Sequence, residues 1–180
     1  MTENKHSLLF TVFIIFLRIL FTAMVVMCVA FIFYNSSQAA EVSAEISGKV
    51  TDISNTALSY LPVDITLSEM VVRKLAHIAE FALLGLLFTF CLRVYTKRLI
   101  AFSAWPLLFG LFIAVCDEFL QKFVPGRSGQ IKDIFIDFVG VFGGTAAAIV
   151  FLLSVQFLFW LFHSRHIKKP HNKRHPDKKT

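Results

Sequence analysis

What the chain lacks narrows it first. It has three cysteines, Cys28, Cys91 and Cys116, each inside an apolar run, with no C-x-x-C pair and no even set placed in a loop. They therefore read as small apolar residues, and no disulfide is expected. There is no H-E-x-x-H, no G-x-S-x-G and no P-loop, so no established metalloprotease, serine-hydrolase or nucleotide signature points to a reaction. An excess of charge of one sign is also missing from most of the chain. The whole formal net charge of +6 sits in residues 164–180, where Arg165, Lys168, Lys169, Lys173, Arg174, Lys178 and Lys179 face Asp177 alone. A basic tail beside an apolar run reads as membrane topology and anionic lipid rather than nucleic acid.

What is present is apolar. The apolar share is 56% and the mean hydropathy +0.68, above the usual share of about 45–50%. The excess is gathered into long runs, so several membrane spans are expected rather than one soluble core. The 21 phenylalanines suit a lipid-facing surface. Four spans are expected, at about residues 8–34, 71–92, 99–119 and 133–160, within a membrane domain of residues 1–163 followed by the basic tail 164–180. The first run is too long for the apolar core of a cleaved signal peptide. Arg18 interrupts it, either snorkelling to headgroups on its long stem or pairing with a carboxylate inside the bundle.

Between the first two spans the chain is polar and acidic, with Glu41, Glu45, Asp52, Asp64 and Glu69 against Lys49. Val42, Ile46, Val50, Ile53 and Ala57 recur every three to four residues, which predicts an amphipathic helix on the membrane surface or over the bundle, ended by Pro62. Thr66-Leu67-Ser68-Glu69 fits a capping box led by Thr66 at the start of the second span. Trp105-Pro106 falls inside the third span and predicts a kink with a packing aromatic. Pro125-Gly126-Arg127-Ser128-Gly129 is a turn signal before the fourth span. Trp160 is placed as an interfacial aromatic. Gly140 and Gly144 form a G-x-x-x-G that lets a neighbouring helix of the same chain approach closely.

The polar residues inside the spans carry the functional reading. Arg73, His77 and Glu80 sit at i, i+4 and i+7, so they share one helix face, with Lys74 beside them. At about 1.5 Å per residue, His77 lies roughly 6 Å and Glu80 roughly 10 Å beyond Arg73 along the axis. Basic residues Arg93, Lys97 and Arg98 and the tail place those ends inside the cell, with both termini cytoplasmic. Asp117, Glu118 and Gln121 then close the third span, and Asp133 and Asp137 open the fourth, at the same outer level as Arg73. Ionisable groups within a membrane face a protein interior or a wet cavity, pair, or mark function. Unpaired, they cost several kcal/mol each, of the order given for buried ions. Arg73 or Lys74, and Arg127, are therefore expected to pair with some of the carboxylates. His77, Glu80, Asp117 and Glu118 are the candidate catalytic or cation-holding set. They fit either a divalent cation on oxygen and imidazole ligands, or a His77 general base oriented by a carboxylate. Arg73, Lys74, Gln121, Arg127, Asp133 and Asp137 are candidate ligand-binding residues. A purely structural alternative remains open, in which the same cluster is an ion-pair network fastening three helices.

Three blocks together carry a resemblance. They are Arg73-Lys74-x-x-His77-x-x-Glu80-Phe81-x-x-Leu84-Gly85, then Asp117-Glu118-x-x-Gln121-x-Phe123-x-Pro125-Gly126-Arg127, then Asp133-x-x-x-Asp137-x-x-Gly140-x-x-x-Gly144. With Phe33-Tyr34-Asn35-Ser36-Ser37-Gln38, Ser43 and Ser47, the chain over roughly residues 30–150 resembles the VanZ-like family of bacterial membrane proteins. Asp137 stands where that family's pattern accommodates Asn as readily, which makes this cluster more acidic. The family is named for a member associated with resistance to teicoplanin, a glycopeptide that acts at the outer cell surface. The resemblance implies a cell-envelope setting, with membrane lipids, a lipid-linked wall precursor or a glycopeptide as the partners to expect. The expected fold class is an all-α integral membrane protein, a four-transmembrane-helix bundle with an amphipathic outer-loop helix.

Overall fold

A computed structural model describes residues 2–60, 62 and 66–167, with side chains described between residues 7 and 164. Asp64 and most of the basic tail lie outside the described residues. Among the described residues five α-helices follow one another: α1 (Thr2–Ser36), α2 (Ala40–Leu58), α3 (Glu69–Tyr95), α4 (Ala104–Gln121) and α5 (Ile131–Ile167), with one 3-10 turn at Ile100–Phe102 before α4. No strand occurs among the described residues. The protein is all-α, and four stretches are long and apolar enough to cross a membrane: Ser7–Ser36, Glu69–Tyr95, Ile100–Gln121 and Ile131–Ser164. Their apolar side chains are largely exposed, among them Phe10, Phe13, Phe16, Phe112, Phe142 and Phe151. A surface of that kind is stable only where the solvent is itself hydrocarbon.

The chain divides into two compact units, one ending at Ile149 and one beginning at Val150. The second consists, in its described part, of the last turns of α5, where Phe157 and Trp160 stack at 6.0 Å. In the first unit, Val25, Cys28 and Ile32 of α1 meet Phe81, Leu84 and Leu87 of α3, Ala114 of α4 and Val141 of α5. Cys28 is thus a small core residue. Lipid tails are as apolar as these side chains, so close packing rather than water exclusion joins the helices. Small residues allow it. A Cβ on Gly144 would strike the backbone of Ala82, one on Gly140 the carbonyl of Ile78, and one on Gly85 the carbonyl of Val141. The G-x-x-x-G on α5 therefore packs within the chain against α3.

Several local expectations change. Ser68, not Thr66, caps α3: its Oγ accepts from the amide of Val71 at 3.5 Å. Asn55 decides this by clamping Leu67, donating to its carbonyl at 3.1 Å and accepting from its amide at 2.8 Å. Pro106 does not kink a span, because α4 begins only at Ala104. Proline in a first turn removes an amide that has no helical partner in any case. Trp105 does pack, stacking on Phe109 at 5.8 Å. Arg18 neither pairs with a carboxylate nor simply snorkels. Its Nε donates to the Val94 carbonyl at 3.1 Å, and its guanidinium lies 5.2 Å from the Tyr95 ring, so it closes the C-terminal end of α3.

The helix α2 forms as its periodicity predicts, but it packs on α3 through a face the apolar stripe does not include. Ser47 and Thr51 are buried, while Val42, Ile46, Val50 and Ile53 stay exposed. The buried hydroxyls donate back along their own helix, Ser47 to the Ser43 carbonyl at 2.7 Å and Thr51 to the Ser47 carbonyl at 2.8 Å. This leaves a flat, locally satisfied face that lies close against α3.

Candidate functional site

One end of the first unit gathers the ionisable residues of three helices. From α3 come Arg73 and His77, one turn apart on the same face, with Lys74 beside Arg73. From α4 come Glu118 and Gln121, from the following loop Arg127, Ser128 and Gln130, and from α5 Asp133 and Asp137. Together they line a cavity of about 720 Å³, within the roughly 300–1,000 Å³ range of small-ligand sites. A smaller cavity of about 170 Å³ lies beneath α2, lined by Asn35, Ser43, Ser47 and Glu80. Arg73, His77 and Arg127 line both. The expected convergence of α3, α4 and α5 on one layer is thus what the fold brings about.

The loop that carries Arg127 is held in a defined shape. Pro125 offers its carbonyl to the amide of Ala40 at 3.3 Å, tying the start of α2 to the turn before α5. Gly126 has φ +75, and a Cβ there would meet Ala40, so the turn needs a residue without a side chain. Arg127 then reaches back, Nη2 donating to the Asn35 carbonyl at the end of α1 at 3.3 Å.

The carboxylates divide by what satisfies them. Asp117 is fully buried, and its Oδ2 accepts from Ser36 Oγ at 2.8 Å and from Gln121 Nε2 at 2.9 Å. Its Oδ1 has no partner. Glu80 Oε1 accepts from Asn35 Nδ2 at 2.7 Å, and its Oε2 lies 3.9 Å from His77 Nδ1, without a hydrogen bond to it. Glu118 accepts the backbone amide of Gln130 in a very short contact, which anchors the loop one residue before α5 begins. Asp133 pairs with Lys74 at 3.2 Å. Asp137 is 3% exposed and makes no side-chain hydrogen bond among the described residues.

Of the cations, only Lys74 takes the carboxylate expected for it. Arg127 takes a backbone carbonyl instead, and Arg73 makes neither a hydrogen bond nor an ion pair among the described residues. The Nε atoms of both arginines are buried and have no partner among the described residues. Burial pushes the Arg127 guanidinium below its ordinary value, and the like charge of Arg73 pushes it the same way. Arginine does not give up its proton, so this marks two neighbouring guanidiniums that repel each other and lack a full set of acceptors.

The candidate set His77, Glu80, Asp117 and Glu118 does not come together as one group. His77 is near Glu80 and shares a cluster with Asp117 and Asp137, in which one ligand atom from each lies within 4.8 Å of the others. Glu118 is engaged by the loop. Spacing along the chain assigns no role to Asn35, Ser36, Ser128 or Gln130, which the fold brings to these two cavities. A signal for the first two was present, since the apolar run of α1 breaks abruptly into Asn35-Ser36-Ser37-Gln38.

Fold and site together define an α-helical membrane protein with a polar, histidine-containing cavity at one end of its helices. Residues 20–154 match the sequence profile of the VanZ/LLP1 family. The chain belongs to that family. No curated protein and no solved structure matches it.

Proposed function

We propose that the cavity binds the phosphate-bearing headgroup of a cell-envelope lipid or lipid-linked wall component, on the outer face of the cell membrane. The observation that carries this reading is the pair Arg73 and Arg127. Both guanidiniums line both cavities, keep buried Nε donors without acceptors, and have no carboxylate paired to them among the described residues. A planar fork of donors matches phosphate oxygens two at a time. Four of the carboxylates in the layer, Glu80, Asp117, Glu118 and Asp133, are instead engaged by Asn35, by Ser36 and Gln121, by the Gln130 amide and by Lys74.

Orientation supports the outer face. Arg93, Lys97 and Arg98 lie at the opposite end of α3 from Arg73, and basic short loops stay in the cytoplasm. Both termini are then cytoplasmic, as is the basic tail. The exposed stripe Val42, Ile46, Val50 and Ile53 on α2, beside charged Glu45, Lys49 and Asp52, suits a helix lying at the lipid boundary above the bundle. A lipid would thus keep its tails in hydrocarbon while its headgroup enters from the side. The link to glycopeptides that the family name suggests is consistent with this side of the membrane. A glycopeptide acting at the wall precursor would meet the same chemistry indirectly.

Fastening is the alternative, and a specific observation limits it. Among the described residues, Lys74–Asp133 is the single ion pair between helices. Neutral hydrogen-bond donors hold most of the acids, and the two arginines are left over. The deciding measurement is native mass spectrometry of the protein with lipids of matched chain length. A phosphomonoester headgroup should bind at least about tenfold more tightly than a zwitterionic one, the worth of one charged hydrogen bond. Arg73→Met with Arg127→Met should abolish that preference. Equal binding of both lipids by the native protein would sink the reading.

A further inference from the structure

We propose that His77, Asp117 and Asp137 form a site for a divalent transition-metal ion, of the Zn²⁺ or Mn²⁺ class, set into the wall between the two cavities. One residue comes from each of α3, α4 and α5, and one ligand atom from each lies within 4.8 Å of the other two. An ion with bonds near 2 Å to each of three donors in a tetrahedral site holds them roughly 3.3 Å apart, so the three side chains must draw in from this spacing to bind it. The cluster therefore needs only small side-chain adjustments to close on an ion.

Two further observations distinguish this from a chance grouping of acids. Asp117 is fully buried, and while its Oδ2 takes two hydrogen bonds, its Oδ1 takes none. His77 Nδ1 is likewise buried without a hydrogen-bond partner among the described residues. A buried polar atom left unsatisfied is costly, and the fully buried Asp117 oxygen and this nitrogen belong to the same group of three. Ser36 and Gln121, by fixing the other oxygen of Asp117, orient the carboxylate. Such outer contacts set the geometry of metal ligands. Glu80 lies 3.9 Å from His77 Nδ1, where a small closure lets it accept that nitrogen's proton. The other ring nitrogen is then free to face the ion.

One imidazole with two carboxylates suits a borderline ion better than calcium, which takes oxygen ligands alone. Three protein ligands leave coordination positions open toward the cavity that Arg73 and Arg127 line, as in sites where a metal and arginines clamp one anion. The metal site does not depend on the identity of that anion.

The test uses the full chain in mild detergent, stripped with chelator and then dialysed against Zn²⁺ or Mn²⁺. Metal analysis should find about one ion per chain, as for a single closed ligand set. The thermal midpoint should rise on loading, since an ion that binds only the folded protein stabilises it. Asp137→Asn and His77→Ala should each lose the ion and the rise. Arg73→Met with Arg127→Met should keep both while losing phosphate-lipid binding, so failure of the metal site and failure of the lipid reading show separately. Native protein that retains no more metal than Asp137→Asn, or a thermal midpoint unmoved by Zn²⁺ and by Mn²⁺, overturns the proposal. The midpoint is read on the native chain and needs no variant to fold.

Discussion

The first and second halves of α3 meet their neighbours in opposite ways. From Phe81 to Thr89 the contacts are closed: Phe81, Leu84 and Thr89 are fully buried. Thr89 donates to the Gly85 carbonyl at 2.8 Å, and α5 lies against the backbone at Gly140 and Gly144. From Arg73 to Glu80 the same helix carries buried polar atoms with no partner, on Arg73, His77 and Glu80. Unmade hydrogen bonds of this kind are tolerated only where surrounding structure prevents collapse around them. The dry half is what prevents it, because α5 is locked to α3 by backbone contact less than two turns from His77. Rigidity and unfinished polarity are two parts of one arrangement: a firm seat and a site left open to a ligand.

The comparison breaks most completely if the seat is lost. Gly144→Ala places a Cβ in the backbone of Ala82, which cannot move aside as a side chain would. The expected loss is at or above about 3 kcal/mol, the upper end of overpacking costs, read as a large fall in thermal midpoint in detergent. Gly143→Ala is the control one residue away, where a Cβ meets nothing within 4 Å. It should leave stability unchanged or raise it by up to about 1 kcal/mol through helix propensity. Equal effects of the two substitutions would show that α3 and α5 do not touch here.

A middle-sized effect belongs to the border between the halves. Ser36 is fully buried and donates to Asp117 at 2.8 Å. Ser36→Ala leaves that oxygen with Gln121 alone and should cost about 1–3 kcal/mol, the order of one hydrogen bond to a charged group. Ser37→Ala, an exposed neighbour bonded only to the Tyr34 carbonyl, should cost little by thermal unfolding. Similar losses for both would mean that Asp117 does not depend on α1.

The dividing line between what the sequence discloses and what it hides follows distance along the chain. The Arg73, His77 and Glu80 face is set by helix geometry alone. So is the arrangement of Asp133, Asp137, Gly140 and Gly144 along α5, and each is legible from spacing. The convergence of three helices followed from counting spans. Pairings between distant segments were not legible. Arg127 meets the Asn35 carbonyl, Ser36 meets Asp117, and Asn55 clamps Leu67. Each joins a donor to one of many acceptors whose positions only the packed helices determine. The start of α3 shows the same limit on a small scale. Thr66 and Ser68 both have the chemistry of a cap, and the clamp from Asn55 selects between them.

The smallest expected effect sharpens the contrast between charges that fasten and charges that wait. Lys74 and Asp133 are paired at 3.2 Å with side chains 44% and 32% exposed. Exposure on that scale lets solvent screen the attraction, so the pair contributes about 0–1 kcal/mol. Lys74→Met should lower the thermal midpoint only slightly, and high salt should shrink even that difference. The same substitution frees Asp133 at the mouth of the cavity, beside Arg73 and Arg127. If those arginines receive a phosphate, an unpaired carboxylate there should weaken phosphate-lipid binding by several-fold while stability barely changes. A large loss of stability with unaltered lipid binding would instead make Lys74–Asp133 the fastening of the site, and would move the boundary between the two halves of α3 one turn toward its N-terminus.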